Sequence, residues 1–219
     1  MFESVQIVGH GRVGSAIAAR LGERGISMPD DGAELVLLCV PDRAIAEVAR
    51  SIEPGPWIAH TSGASPLGAL DPHTRRFGLH PLQTFVPGGG AAQLDGSYAG
   101  VTAESQDARE RGFALARTLG LEPFELAAEA RPLYHAGAAI ASNYLVTLHS
   151  VASALFEEAG APPEALVPLM RRTIDNGFDL TGPIARGDWE TVDAHRQAIR
   201  RARPDLEPVY DVLAEATAR

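Results

Sequence analysis

Hydrophobic positions along the chain fall into two kinds of run. Short continuous ones, Val5–Val8, Leu35–Val40, Trp57–Thr61, Phe77–His80, Tyr98–Ala103 and Pro123–Leu126, read as strands. An unbroken apolar run such as Leu35–Val40 suits a parallel strand buried on both faces. Between them lie segments of helical periodicity. Val13–Arg24 ends before Gly25, a residue suited to the turn after a last helical residue. Pro41-Asp42 opens a helix to about Ser51, with Asp42 placed to cap it. Gln106–Leu119 is a third helix, and Pro87–Gly96, with three glycines at its heart, is a loop. Alternating strands and helices predict a mostly parallel, doubly wound sheet.

The texture changes near Glu129. No strand candidate follows Arg131. A long helix covers Leu133–Ala159 and is broken by Gly160-Ala161-Pro162-Pro163. Further helices fit Glu164–Asn176, Trp189–Arg203 and Asp205–Ala218. The expected organisation is an α/β domain over residues 1–127, joined by a short linker to an all-α domain over 128–219. There is no internal repeat or low-complexity tract.

Gly9-x-Gly11-x-x-Gly14 stands directly after a strand and opens a helix, the setting in which this spacing binds a dinucleotide. Gly9 permits the tight turn, Gly11 lets a pyrophosphate approach the backbone, and Gly14 lets the helix pack close to the sheet. The N–H groups at the start of the helix, Val13 included, would face the phosphates, and Arg12 could add charge at the mouth. A tight βα turn with no ligand is the alternative.

The next stretch departs from the usual arrangement. A second strand normally follows, ending in an acid about 20 residues on that holds a ribose. Here only Ile26–Glu34 separates the first helix from Leu35. A parallel crossover needs about 10–12 residues, and Pro29–Glu34 cannot supply them. The second strand–helix unit is therefore missing, or shortened to an irregular edge with Ile26–Met28 as a stub. Asp30 or Asp31 could replace the acid, or form a solvated turn. Loss of that wall should weaken dinucleotide binding.

Composition narrows the chemistry. The 219 residues suffice for one large domain or two modest ones. A net charge of −9 with no long basic run argues against nucleic acid and anionic membranes as partners. All 19 basic residues are Arg, so no Schiff base and no lysine acid can operate. Cys39 is the only cysteine, which excludes an intrachain disulfide and a cysteine metal site. No HExxH, CxxC or paired-carboxylate motif occurs, and no metal is expected. His60-Thr-Ser-Gly-Ala-Ser65 lacks the flanking glycine of a nucleophile elbow. The opening Met-Phe-Glu-Ser does not read as a signal peptide. No apolar run approaches the roughly 18–20 residues of a membrane helix. A cytoplasmic protein is the expectation.

Histidines supply the candidate chemistry. His60 and His80 sit at the ends of predicted strands, where an open parallel sheet binds ligands. Ser62 can donate a hydrogen bond beside His60, and Gln83 and Thr84 add polar groups beyond His80. A buried ring satisfied by a carbonyl is the alternative for each histidine. On the long helix Ala136–Ala141 are almost all small, so a ligand or another helix could come close. His135, Ser142 and His149 share a stripe at about 100° per residue. Asn143 lies about 80° round the axis and about 12 Å along it from His135, so the two could flank only a longer substrate. Thr181, Arg186 and Asp188 read best as caps and a turn.

Together, "IVGHGRVGSAIAARL", "LVLLCVPDRAIAEVA", "HTSGA", "FGLHPLQTF", "YHAGAAIASNYLVTL" and "LTGPIARGDWETVDAHRQAI" resemble the Rossmann-like proteins that carry a C-terminal domain of unknown function, type 2520. The resemblance covers nearly the whole chain. That group is similar to pyrroline-5-carboxylate reductases, prephenate dehydrogenases and 6-phosphogluconate dehydrogenase-like enzymes. It implies an N-terminal NAD(P)-type domain, a helical C-terminal domain and a homodimer built through the latter, and names no substrate. In the hydroxyacid dehydrogenase branch a Lys stands one helical turn before an Asn. Asn143 matches that Asn, but Ala139 stands at the Lys position, so His135 or His80 would take the proton-transfer role.

The function expected is an NAD(P)-dependent oxidoreductase acting on a small metabolite. The pyrophosphate would lie on Gly9–Gly14, with Pro41 and Asp42 beside the ribose next to the nicotinamide. His80 or His135 would exchange a proton, Asn143 and Ser62 would hold the substrate oxygen, and His60 would share the cleft. Two other readings stand beside it. One is a non-catalytic dimer, a sensor or partner-binding protein that has lost full dinucleotide binding. The other is a binder of a smaller phosphorylated ligand such as a mononucleotide.

Overall fold

The computed structural model describes residues 1–219. It divides into two compact units, Met1–Ala139 and Ile140–Arg219. The first contains six strands, β1 (Val5–Val8), β2 (Leu35–Leu38), β3 (Trp57–His60), β4 (Arg76–Leu82), β5 (Tyr98–Ala103) and β6 (Glu122–Glu125). They form one sheet in sequential order. Every neighbouring pair is parallel except β4–β5, which is antiparallel.

Side-chain alternation assigns the two faces. Val5, Leu35, Leu37, Trp57, Ala59, Phe77 and Leu79 pack with residues of α1 (Arg12–Glu23) and α3 (Gln106–Thr118). Val36, Leu38 and Ile58 pack with Ile45 and Ala49 of α2 (Asp42–Ser51) and with the turn Leu67–Leu70. All four residues of β2 are buried, because helices cover both its faces, and this accounts for the unbroken apolar run. Each such aliphatic side chain contributes about 1.5–3 kcal/mol on burial.

The missing unit is plain in the backbone. β1 pairs directly with β2 in register Val5↔Leu35 to Val8↔Leu38. Its outer edge carries a single parallel bridge, Ser4↔Ser27. The Val5 N–H donates to the Ser27 carbonyl at 2.9 Å, and the Ser27 N–H to the Glu3 carbonyl at 3.1 Å. Beyond that stub the chain turns back through exposed Asp30 and Asp31, where Asp31 Oδ1 accepts the Gly32 N–H at 2.8 Å. The Gln6 side-chain amide ties the Asp30 carbonyl to β1.

Two local expectations are corrected. Asp42 does not cap α2: Pro41 holds the cap position with extended backbone, and Asp42 is the first helical residue. There its carboxylate favours the positive end of the helix dipole. β4 runs on to Leu82, past the predicted end at His80, because the antiparallel ladder with β5 extends to Leu82↔Tyr98.

The division between units falls at Ala139, twelve residues beyond the expected position of 127. The helix α4 (Arg131–Ala139) belongs to the first unit, held by its first residue, Arg131, which is 1 % exposed. The second unit opens with a π turn, Ile140–Tyr144. It continues with α5 (Leu145–Glu158), α6 (Leu166–Asp175), α7 (Trp189–Ala202) and α8 (Glu207–Thr217). A π turn bonds i to i+5, so positions counted at about 100° per residue do not carry through it. The even spacing assumed for His135, Ser142 and His149 therefore does not hold through Ile140–Tyr144.

Helical backbone runs from Ala128 to Glu158, 31 residues, long and apolar enough by length and composition to cross a membrane. This corrects the expectation that no such segment exists. The small residues at 136–142 raise its hydropathy without forming a run of large apolar side chains.

Candidate functional site

The first βα corner is built by three glycines with different jobs. Gly9 has φ +102°, and a Cβ there would meet the Cys39 carbonyl oxygen at 2.6 Å. A Cβ at Gly14 would run into the Gly9 carbonyl. A Cβ at Gly11 would meet nothing within 4 Å. Gly9 and Gly14 thus serve the packing of the corner, and Gly11 faces open space. Gly11 also occupies the cap position of α1, which has no side-chain cap and no acidic residue in its first turn. The first helical bond runs from the Ser15 N–H to the Gly11 carbonyl at 2.9 Å. The amides of Arg12, Val13 and Gly14 precede it and lack helical partners. Cys39 lies beneath the corner, and burial pushes its thiol up to about 12 despite a hydrogen bond with Thr61. It stays protonated and acts as a small spacer, not a nucleophile.

A second group forms at the carboxyl ends of β3 and β4. His60 is the last residue of β3 and pairs with Gly78, so His80 lies just past the end of that ladder. His60 is 0 % exposed, and neither ring nitrogen has a hydrogen-bond partner. Burial, and then the Arg131 cation, lower its pKa to about 4, against weaker opposing effects of Asp42 and of the His60 and Pro66 carbonyls. Gly78 makes the room. A Cβ there would lie 3.1 Å from both Arg131 Nη1 and His60 Cε1.

Arg131 is a buried cation with no carboxylate partner. Its Nη1 donates to Thr102 Oγ1 at 2.8 Å, its Nη2 donates to the Ser62 carbonyl, and its Nε has no partner. Burial lowers its pKa.

His80 is half-buried. Its Nδ1 lies 2.7 Å from the Tyr134 hydroxyl. The rings of Tyr134 and His135 meet it edge-on, with centroids at 5.5 and 6.0 Å. Its pKa is lowered to about 4 by burial first, then by His135 and Arg131, with Asp42 opposing. Burial also raises the pKa of Tyr134, so that hydroxyl keeps its proton. Gly63 backs the pair: a Cβ there would lie 2.6 Å from His135 Cδ2 and 2.8 Å from His80 Nε2.

The first unit thus assembles His60, Ser62, Gly63, His80, Arg131, Tyr134 and His135. Two expected substrate ligands have other work. Ser62 Oγ accepts the Ala64 and Ser65 N–H groups at 3.2 and 2.9 Å and bonds to Ser65 Oγ at 3.0 Å, so it shapes the Gly63 turn. His60 is sealed from any ligand by its burial. His80 and exposed His135 remain for contact. Asn143 lies in the π turn of the second unit, exposed, its carbonyl accepting Thr147 Oγ1 at 3.4 Å. Asp188 caps α7, accepting the Thr191 N–H at 3.1 Å. Sequence reasoning missed Arg131 and Tyr134. An arginine opening a helix looks solvent-exposed in sequence, whereas Tyr134 was detectable as the direct neighbour of His135.

Residues 97–217 match the family model of a domain of unknown function, DUF2520, and residues 26–85 match that of a Rossmann-like domain. The chain belongs to the DUF2520 family. No curated protein matches the sequence. Among solved structures it is similar to BF3122 from Bacteroides fragilis, at 19% identity and TM-score 0.81 over 99% of this chain and 98% of that one. TM1727 from Thermotoga maritima is similar at 24% identity and TM-score 0.80, over 98% of both chains. The reductive aminase of Aspergillus terreus, solved with NADPH and ethyl-5-oxohexanoate, is similar at 15% identity and TM-score 0.65, over 100% of this chain and 94% of that one. At these identities the likeness establishes a shared fold.

Proposed function

We propose that the protein is a nicotinamide-dinucleotide-dependent oxidoreductase acting on a small metabolite. The observation that carries this reading is the corner at Gly11, an uncapped helix start with room for a side chain at Gly11 and no acid in its first turn to repel a phosphate. The shared fold with an enzyme solved in complex with NADPH supports it. A pyrophosphate would be held by the amides of Gly11, Arg12, Val13 and Gly14, with the Arg12 side chain adding charge. Pro41 and Asp42, at the neighbouring βα corner, would border the ribose next to the nicotinamide. The bound dinucleotide would supply or accept the two electrons of the reaction.

This chain's own groups would do the rest. Exposed His135 exchanges the proton at the substrate oxygen. His80, neutral near pH 7, is unsuited to give up a proton as imidazolium. Arg131 and Ser62 hold the loop that carries Gly63 against both rings. Calorimetric titration tests the reading. A dissociation constant in the micromolar range is expected for NADPH or NADH, and millimolar or absent binding of both contradicts it.

The second unit would assemble a homodimer. Its apolar side chains Val146, Leu169, Phe178 and Val212 are 67, 59, 71 and 66 % exposed, and a second copy would cover them. Light scattering at micromolar concentration is expected to give the mass of two chains, and the mass of one chain contradicts the dimer.

A further inference from the structure

We infer that His80 is a hydrogen-bond donor to a carbonyl oxygen, with Tyr134 as the residue that fixes its tautomer, and that the substrate class is an aldehyde or ketone, or the matching alcohol, not an iminium. The inference rests on the oxidoreductase reading and assigns the substrate end of that site. Four observations carry it. His80 Nδ1 and the Tyr134 hydroxyl are 2.7 Å apart. Because the Tyr134 hydroxyl keeps its proton, it is able to donate to Nδ1, and we assign that direction, with the ring proton of the neutral imidazole on Nε2. Nε2 has no hydrogen-bond partner, yet it is not among the polar atoms sealed from solvent. It faces Gly63, the position where a side chain would intrude on it at 2.8 Å.

The surrounding charge selects the substrate. Arg131 is a buried guanidinium without a carboxylate, and it bonds to the peptide that leads into Gly63. His135 approaches from α4, and Asp42, from α2, is the one acid whose charge reaches His80. A neutral donor backed by an unneutralised cation stabilises an oxygen that gains negative charge as its carbonyl is reduced. The same field disfavours a substrate that arrives as a cation. His80 donates a hydrogen bond throughout and transfers no proton, so the catalytic contact is His80 and the positioning residue is Tyr134.

Nitrogen-15 NMR of histidine-labelled full-length protein at pH 7 tests this without any dinucleotide, so its outcome is read separately from the NADPH titration. His80 is expected as a single neutral tautomer protonated at Nε2. Tyr134→Phe should convert it to a tautomer mixture while the fold's amide spectrum is retained. Cyclopentanone, a neutral carbonyl probe, should shift the His80 Nε2 resonance, whereas pyrrolidinium, its cationic ring analogue, should not. A His80 protonated at Nδ1 or charged at pH 7 overturns the assignment. So does a Tyr134→Phe spectrum identical to wild type. A shift by pyrrolidinium, alone or together with cyclopentanone, or a shift by neither probe, overturns the substrate class.

Discussion

Gly11→Val is expected to leave the fold intact and to weaken NADPH binding at least about 100-fold, or roughly 2.7 kcal/mol. The two halves of this prediction have separate causes. A Cβ at Gly11 meets no atom within 4 Å, and its φ of −70° suits any residue, so the folded state loses nothing. The added isopropyl group instead fills the space in front of the helix amides. Two displaced charge-assisted hydrogen bonds, at about 1.5–3 kcal/mol each, account for the loss. Gly9→Ala behaves in the opposite sense. It places a Cβ 2.6 Å from the Cys39 carbonyl at a φ of +102°, so it should lower the urea midpoint outright. Urea titration and calorimetry on both variants check the contrast. Equal NADPH affinity for wild type and Gly11→Val would remove the phosphate from this corner.

Acid should destabilise the fold through the buried ring of His60. Its folded pKa of about 4 lies below the unfolded value of 6.5, so the unfolded chain binds the extra proton between those limits. Stability therefore rises with pH across that window and falls as pH drops from 6.5 towards 4. The full difference is about 3 kcal/mol for this one ring. Two charges face it, the Arg131 cation from α4, which deepens the effect, and Asp42 from α2, which opposes it. His60→Asn cannot take up the proton. Its urea midpoint should fall clearly less than that of wild type between pH 7 and pH 4.5, and an equal fall in both would show that His60 is not responsible.

Much of the fold was legible because burial leaves a period in the sequence. Leu35–Leu38 reads as a strand covered on both faces because every residue in it is apolar, and the structure buries all four. The gap after Gly25 was legible from length alone, since six residues cannot form a parallel crossover, and the single Ser4↔Ser27 bridge is what remains. The π turn at Ile140–Tyr144 left no mark, because hydrophobic spacing does not distinguish i→i+4 from i→i+5 bonding over five residues. The site was half legible. His60 and His80 could be placed at strand ends by topology, but which of them is sealed depends on packing from α4. Arg131, whose cation adds to burial in lowering both rings' pKa, lies 51 and 71 residues further along the chain from His80 and His60 and carries no local signature of burial.

The central claim is that amides at the first corner still hold a dinucleotide pyrophosphate although the second strand has been cut away. Backbone amide spectra recorded during titration with NADPH test it most directly. Large shifts at Gly11, Arg12, Val13 and Gly14 that saturate at micromolar ligand are the predicted result. Those four resonances standing still at millimolar NADPH would contradict it.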